Sequence, residues 1–167
     1  MTHLDFTQWL TENPAGELFY TFLIAMLPVV ELRGAIPVGV GMLGRSALPS
    51  VYLAAVLGNM LPVPFIIVYI RRIFQWLRRR SRRLDGLVTR LETKAHLKGR
   101  MVTRYKYLGL CILVAIPLPG TGAWTGALVA AFLDMRLRSA VPAIFLGVVI
   151  AGILVSLVTG GVIAAFF

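Results

Sequence analysis

Three stretches of this chain, residues 46–70, 107–133 and 139–167, contain no charged residue, and a fourth, 18–44, contains only Glu31 and Arg33. Each is longer than the roughly 20 residues that cross hydrocarbon as a helix. A soluble chain of 167 residues that is 58% hydrophobic has no core large enough to hide them. The runs also lack the apolar–polar alternation of a membrane β-barrel. They predict an all-α integral membrane protein.

Within residues 18–44 the two charges are ringed by Pro28, Gly34, Pro37, Gly39 and Gly41. A charge at the centre of a bilayer costs roughly 2.5–3.5 kcal/mol on insertion scales, so neither is expected to face lipid. Ionisable groups in broken membrane helices mark transport or proton sites. The alternative is a structural ion pair that closes a helical hairpin; the broken-helix setting favours transport.

The net charge of +10 is concentrated, since residues 71–106 hold 13 of the 17 basic residues against two acids, Asp85 and Glu92. The tract follows an apolar span directly, so the positive-inside rule explains it better than nucleic-acid binding, and no nucleic-acid partner is expected. Ile73, Leu77, Leu84, Val88, Leu91 and Ala95 recur at helical spacing. They predict an amphipathic segment whose arginines meet anionic lipid headgroups. Residues 1–17 carry Asp5, Glu12 and Glu17 and no basic cluster, which reads as a short interfacial helix ending near Asn13-Pro14 rather than a signal peptide. Cys111 is the only cysteine and reads as apolar packing; His3 and His96 are isolated. No metal site and no cofactor are expected.

Charge and length choose between two topologies. Four ordinary spans would put Arg136 and Arg138 outside and the acidic N-terminus inside, against the charge rule twice. If residues 18–44 and 107–133 are re-entrant hairpins, the N-terminus lies outside and residues 71–106 and 134–138 lie inside. As one straight helix, 27 residues would measure about 40 Å against about 30 Å of hydrocarbon. Two shorter arms with a tip fit better, and each run has helix breakers where a tip belongs: Pro28 to Pro37, and Pro117-Leu118-Pro119-Gly120-Thr121-Gly122. Irregular backbone at that depth must be buried in protein or line a cavity. Residues 46–70 and 139–167 remain as transmembrane helices.

A shift of 89 residues superposes Pro28 on Pro117, Val40 on Val129, Ser50 on Ser139, Ala54 on Ala143, Leu57 on Leu146 and Gly58 on Gly147. Hairpin, short turn and span thus occur twice, entering from opposite sides, which is an inverted repeat of the secondary-transporter kind. The predicted single membrane domain therefore divides into the N-terminal helix (1–17), a first repeat (18–70), the basic cytoplasmic segment (71–106) and a second repeat (107–167). The shift sets Glu31 over Gly120 and Arg33 over Gly122, so a charged tip faces a glycine-rich one.

At the second tip, backbone N–H groups that open a half-helix carry partial positive charge, and glycines let an anion come close. Thr121 adds a hydroxyl and Trp124 an aromatic wall with a donor. Arg33 offers a planar fork for phosphate or carboxylate. Glu31 is the candidate proton carrier: an anion that competes for Arg33 alters the proton affinity of Glu31, a physical route to proton coupling. Asn59, in Gly58-Asn59-Met60-Leu61-Pro62-Val63-Pro64, either hydrogen-bonds backbone freed by the prolines or contacts substrate, and the first reading is the simpler. Candidate substrate-binding residues are thus Arg33, Gly120, Thr121, Gly122, Trp124 and Asn59, while Pro28, Gly34, Pro37, Pro117 and Pro119 shape the tips.

Three motifs, Glu31-Leu-Arg-Gly-Ala-Ile-Pro37, Gly58-Asn-Met-Leu-Pro62 and Ile116-Pro-Leu-Pro-Gly-Thr-Gly-Ala-Trp124, resemble the small multidrug export family, which looks related to the DedA superfamily. The resemblance runs over nearly the whole chain. It implies paired re-entrant hairpins in a prokaryotic-type plasma (inner) membrane. It also implies, through relatives that flip undecaprenyl phosphate or support proton-dependent drug tolerance, that Glu31 and Arg33 handle proton and phosphate. Unlike DedA proteins, this chain has no basic residue in its second tip.

The expected function is a proton-coupled transporter or flippase for an amphiphilic anion such as a polyprenyl-phosphate lipid. A proton-dependent exporter of cationic or neutral drugs is the alternative, and a non-transporting membrane scaffold a third. No nucleophile–base set points to an enzyme. Two hairpins and two spans make a small unit, so a homodimer is expected.

Overall fold

The computed structural model describes residues 13–80, 82–116 and 121–166. Residues 1–12, which hold most of the expected interfacial helix, and the tip residues Pro117, Pro119 and Gly120 lie outside the described residues. The described chain is helical, with seven α-helices and no strand among those residues: α1 (Pro14–Ala25), α2 (Glu31–Leu43), α3 (Leu48–Met60), α4 (Pro62–Arg80), α5 (Arg82–Ala115), α6 (Ala123–Phe132) and α7 (Leu137–Phe166). A 3-10 turn, Arg45–Ala47, links α2 to α3. Two stretches, Arg45–Arg80 and Leu137–Val162, are long and apolar enough to cross a membrane.

Local chemistry sets the boundaries. Asn13 caps α1 by accepting the Ala15 amide at 3.0 Å, Pro14 fills the first position where no amide is needed, and Glu17 sits in the first turn. Pro28 cannot donate and disfavours helical backbone at Leu27, so α1 stops at Ala25. Gly44, at φ 83°, ends α2 with its amide on Val40 O, a left-handed position that glycine takes without strain. Between α3 and α4, Leu61 keeps helical dihedrals and bonds Leu57 O, while Pro62 removes the next amide. No break separates the basic stretch from the apolar one at residues 106–107: α5 runs unbroken through both for about 50 Å.

The helices form two compact units, one comprising residues up to Leu61 with Val148 onward, the other Pro62–Gly147. In the first, α1, α2 and α3 pack on one another. The Tyr52 hydroxyl donates to Val149 O at 3.1 Å, and Gly152 gives room to its ring, tying α3 to α7. Ala25, Ala35, Ile36, Val51 and Ala55 are fully buried. In the second unit α6 packs on α4 and α5, and α4 on α5. Leu110, Val114, Ala127, Ala130 and Ile144 fill its core. Small residues dominate both cores, as close helix packing requires where burial against lipid supplies little driving force.

Several details of the two units lie 89 residues apart. Helix α3 begins at Leu48 and α7 at Leu137. The amide of Gly44 bonds Val40 O at 2.9 Å, and that of Leu133 bonds Val129 O at 3.0 Å. A Cβ on Gly58 would lie 2.2 Å from Phe22 O, and one on Gly147 would lie 2.7 Å from Cys111 O. Thr21 and Leu110, Ala25 and Val114, Ala55 and Ile144, and Asn59 and Val148 are all buried pairs at that offset.

The basic segment divides between α4 and α5. Arg78 on α4 pairs with Glu92 and, at 3.7 Å, with Asp85, so both acids of the segment are held by one arginine. Arg71 pairs with Asp134 and donates to Phe132 O at 3.2 Å, which caps the end of α6. The Phe132 ring in turn packs at a tilt against Phe74 and His96. Val88 and Ala95 are buried against protein because α4 and α5 pack together, whereas Ile73 and Trp76 are exposed beside Arg72, Arg79 and Arg80.

Candidate functional site

The break between α1 and α2 positions the first candidate group. The amides of Met26 and Leu27 bond Leu23 O and Ile24 O, tightening the last turn of α1, and the chain passes through Pro28 and the fully projecting Val29. It re-enters a helix at Glu31, whose amide bonds Leu27 O at 2.9 Å. Glu31 has φ 50°. That left-handed conformation is uncommon for a residue other than glycine, asparagine or aspartate and costs roughly 1–2 kcal/mol. The side chain is nonetheless only 5% exposed. Strain of this kind persists where the surroundings enforce it and clusters at functional sites.

Arg33, half-buried, lies two residues on and interacts electrostatically with Glu31. Pro37 removes the amide that would otherwise bond the Arg33 carbonyl within the helix. Gly34 acts by close approach: a Cβ there would meet Val30 Cγ1 at 2.5 Å, so its absence lets Val30 fold over the first turn of α2.

Helices α2 and α3 are each 13 residues long, joined by four residues, and pack together, so the last turn of α3 returns to the end where α2 begins. Asn59 is in that last turn, 0% exposed. Neither its Nδ2 nor its Oδ1 has a hydrogen-bond partner among the described residues. The simpler sequence reading, a bond to backbone freed near Pro62 and Pro64, is thus not what the structure has. Leaving such an amide unsatisfied costs about 1–3 kcal/mol on mutational scales. An acid, a guanidinium and an unsatisfied carboxamide therefore share one end of the first unit. Arg33 and the Asn59 amide can bind an oxyanion, and Glu31 can carry a proton.

The second break lies between α5 and α6. Thr121 donates its hydroxyl to Ile116 O at 2.7 Å, bridging the last turn of α5 and the approach to α6. Gly122 is buried at φ 136° and accepts the Gly126 amide at 2.8 Å as α6 begins. Trp124 is half-buried in the first turn of α6. Of the expected second-tip residues, Thr121 thus has its proton committed to closing the break, and Gly120 lies outside the described residues. Among the described residues no group of three metal-ligating side chains occurs.

Comparison with known proteins adds one result. The model of the family described as Putative small multi-drug export protein matches residues 31–154, beginning at Glu31 and including Arg33, Asn59 and the second break. No curated protein and no solved structure matches the chain.

Proposed function

We propose that this chain, which belongs to the small multi-drug export family, is a proton-coupled secondary transporter or flippase of an amphiphilic anion, with Arg33 binding the anion and Glu31 carrying the proton. Its membership and its long apolar helices support reading it as a membrane transporter rather than an enzyme. The observation that carries the finer reading is Glu31: a buried acid, held in a strained backbone conformation at a helix break and coupled to a neighbouring guanidinium. Asn59 completes the site as a donor that an oxyanion satisfies.

The re-entrant arrangement is supported by length. Helices α1, α2 and α6, of 12, 13 and 10 residues, measure about 15–20 Å, short of the roughly 30 Å of hydrocarbon but enough to reach its middle. The inverted repeat is supported by the Gly58–Phe22 and Gly147–Cys111 approaches at a common offset. Exposed Trp76 beside Arg72, Arg79 and Arg80 supports an α4 end at an anionic headgroup layer on the cytoplasmic side. A homodimer remains part of the proposal, with a second copy closing the substrate path.

A polyprenyl phosphate is the substrate to test first. Protein in liposomes moves such a lipid between leaflets, and Arg33→Ala stops it; unchanged flipping in that variant removes Arg33 from the site. The family's name favours a second reading, export of cationic or neutral drugs with Glu31 as the working acid. There Glu31→Gln abolishes drug tolerance while Arg33→Ala leaves it.

A further inference from the structure

A cavity of about 240 Å³ opens between α3 and α7, lined by Leu48, Pro49, Tyr52, Ile153, Ser156 and Leu157. Four of its six walls are apolar, and none is charged. The Ser156 hydroxyl is buried and has no partner among the described residues. A helical serine ordinarily bonds the carbonyl one turn back. The Tyr52 hydroxyl, in contrast, is occupied by Val149 O. Its wall residues Ile153 and Leu157 are exposed, as are their sequence neighbours Leu154 and Val158 and, next to Tyr52, Leu53. In a membrane protein such a surface meets hydrocarbon, so what enters the cavity enters from lipid. The volume falls below the roughly 300–1,000 Å³ of pockets for whole drug-sized ligands, which fits a length of chain better than a complete compound.

A charge stands at one end. Leu48, a wall of the cavity, bonds the carbonyl of Arg45 through its amide, and Arg45 is exposed in the 3-10 turn before α3. Helix α3 opens there with no side-chain cap, so its positive end adds to the arginine.

We propose that this groove is a fixed site for one anionic phospholipid, its phosphate at Arg45 and the start of α3, and an acyl chain laid between α3 and α7 with its ester oxygen on Ser156. It is distinct from the Glu31 and Arg33 site, for Asn59 lies eleven residues further along α3, about 16 Å away. It rests on the membrane setting alone and stands whether or not the chain moves a lipid phosphate.

The test is lipid retention. The full chain is purified from vesicles of dioleoyl phosphatidylglycerol and dioleoyl phosphatidylcholine, and bound lipid is counted by native mass spectrometry. Wild type is expected to retain one phosphatidylglycerol per chain. Ser156→Trp, which fills the groove, loses it. Arg45→Gln, an exposed substitution that leaves the fold intact, lowers the preference for phosphatidylglycerol about tenfold while chain binding persists. Dodecyl phosphate competes, and inorganic phosphate at the same concentration does not. Equal retention in Ser156→Trp and wild type overturns the site. So does displacement by tetraphenylphosphonium but not dodecyl phosphate, which assigns the groove to a lipophilic cation, or a cross-link from Ser156→Cys to a second copy, which assigns it to an interface.

Discussion

Glu31, in the first turn of α2, combines two features that oppose folding: a carboxyl group with only 5% exposure and a φ of 50°. The backbone feature has a direct test. In an ordinary helix alanine is more stabilising than glycine by about 1 kcal/mol. At Glu31 the order is expected to reverse, with Glu31→Gly more stable than Glu31→Ala by about 1 kcal/mol, because only glycine is free of the left-handed penalty. Thermal unfolding of the two variants in the same detergent decides it. Asn59 makes the complementary case. Asn59→Leu removes an unsatisfied amide at similar volume and is expected to stabilise the protein by about 1–3 kcal/mol while abolishing transport. Destabilisation by Asn59→Leu shows instead that the amide supports the fold. The sequence marks both residues as unusual by their polarity, but not for the reasons that matter here. Nothing in a glutamate announces φ above zero, and whether an asparagine finds a partner depends on neighbours set by the packing of other helices.

The breaks around α2 were legible, because Pro28 and Gly44 act through their own backbones, whereas the boundary at Pro62 was not, since Leu61 keeps helical dihedrals within the apolar run. The unbroken course of α5 was not. The charge pattern changes near residue 106, but a change of composition is not a change of backbone, and Tyr105, Lys106 and Tyr107 all suit a helix. The common offset of 89 residues was legible as a few identities. Its physical content appears only in the packing, where Gly58 and Gly147 each let a helix backbone approach. Gly58→Ala and Gly147→Ala are expected to cost about 1–3 kcal/mol each, as overpacking does. Gly160→Ala, with open space where a Cβ would stand, is expected to be neutral or to stabilise by up to about 1 kcal/mol. Equal effects at all three positions, measured by thermal unfolding, contradict the close approaches. Arg71 and Arg78 are engaged with Asp134, Glu92 and Asp85, pairings that depend on the packing of α4 on α5 and that charge composition does not reveal.

For the whole molecule, the distribution of charge and of short helices sets the functional reading. Long apolar stretches support the membrane setting, and the short helices that meet near Glu31 are the basis for proposing a polar site within it. Proton coupling follows if Glu31 and the substrate compete for Arg33. Dissipating the pH gradient is then expected to slow wild-type transport in liposomes and to leave residual transport by Glu31→Gln unchanged, read with an internal pH-sensitive dye. Depth in the bilayer is the property on which the rest turns. Val29 projects from the break at 93% exposure, two residues from Glu31, and Cys111 is the single cysteine, so Cys111→Ala with Val29→Cys admits one spin label at the tip. The most direct measurement is the depth of that label in liposomes, from its relative collisions with oxygen and a water-soluble relaxant. A label near mid-bilayer, about 15 Å below the headgroups, is the predicted result; a label in water contradicts a membrane-embedded site for Glu31 and Arg33.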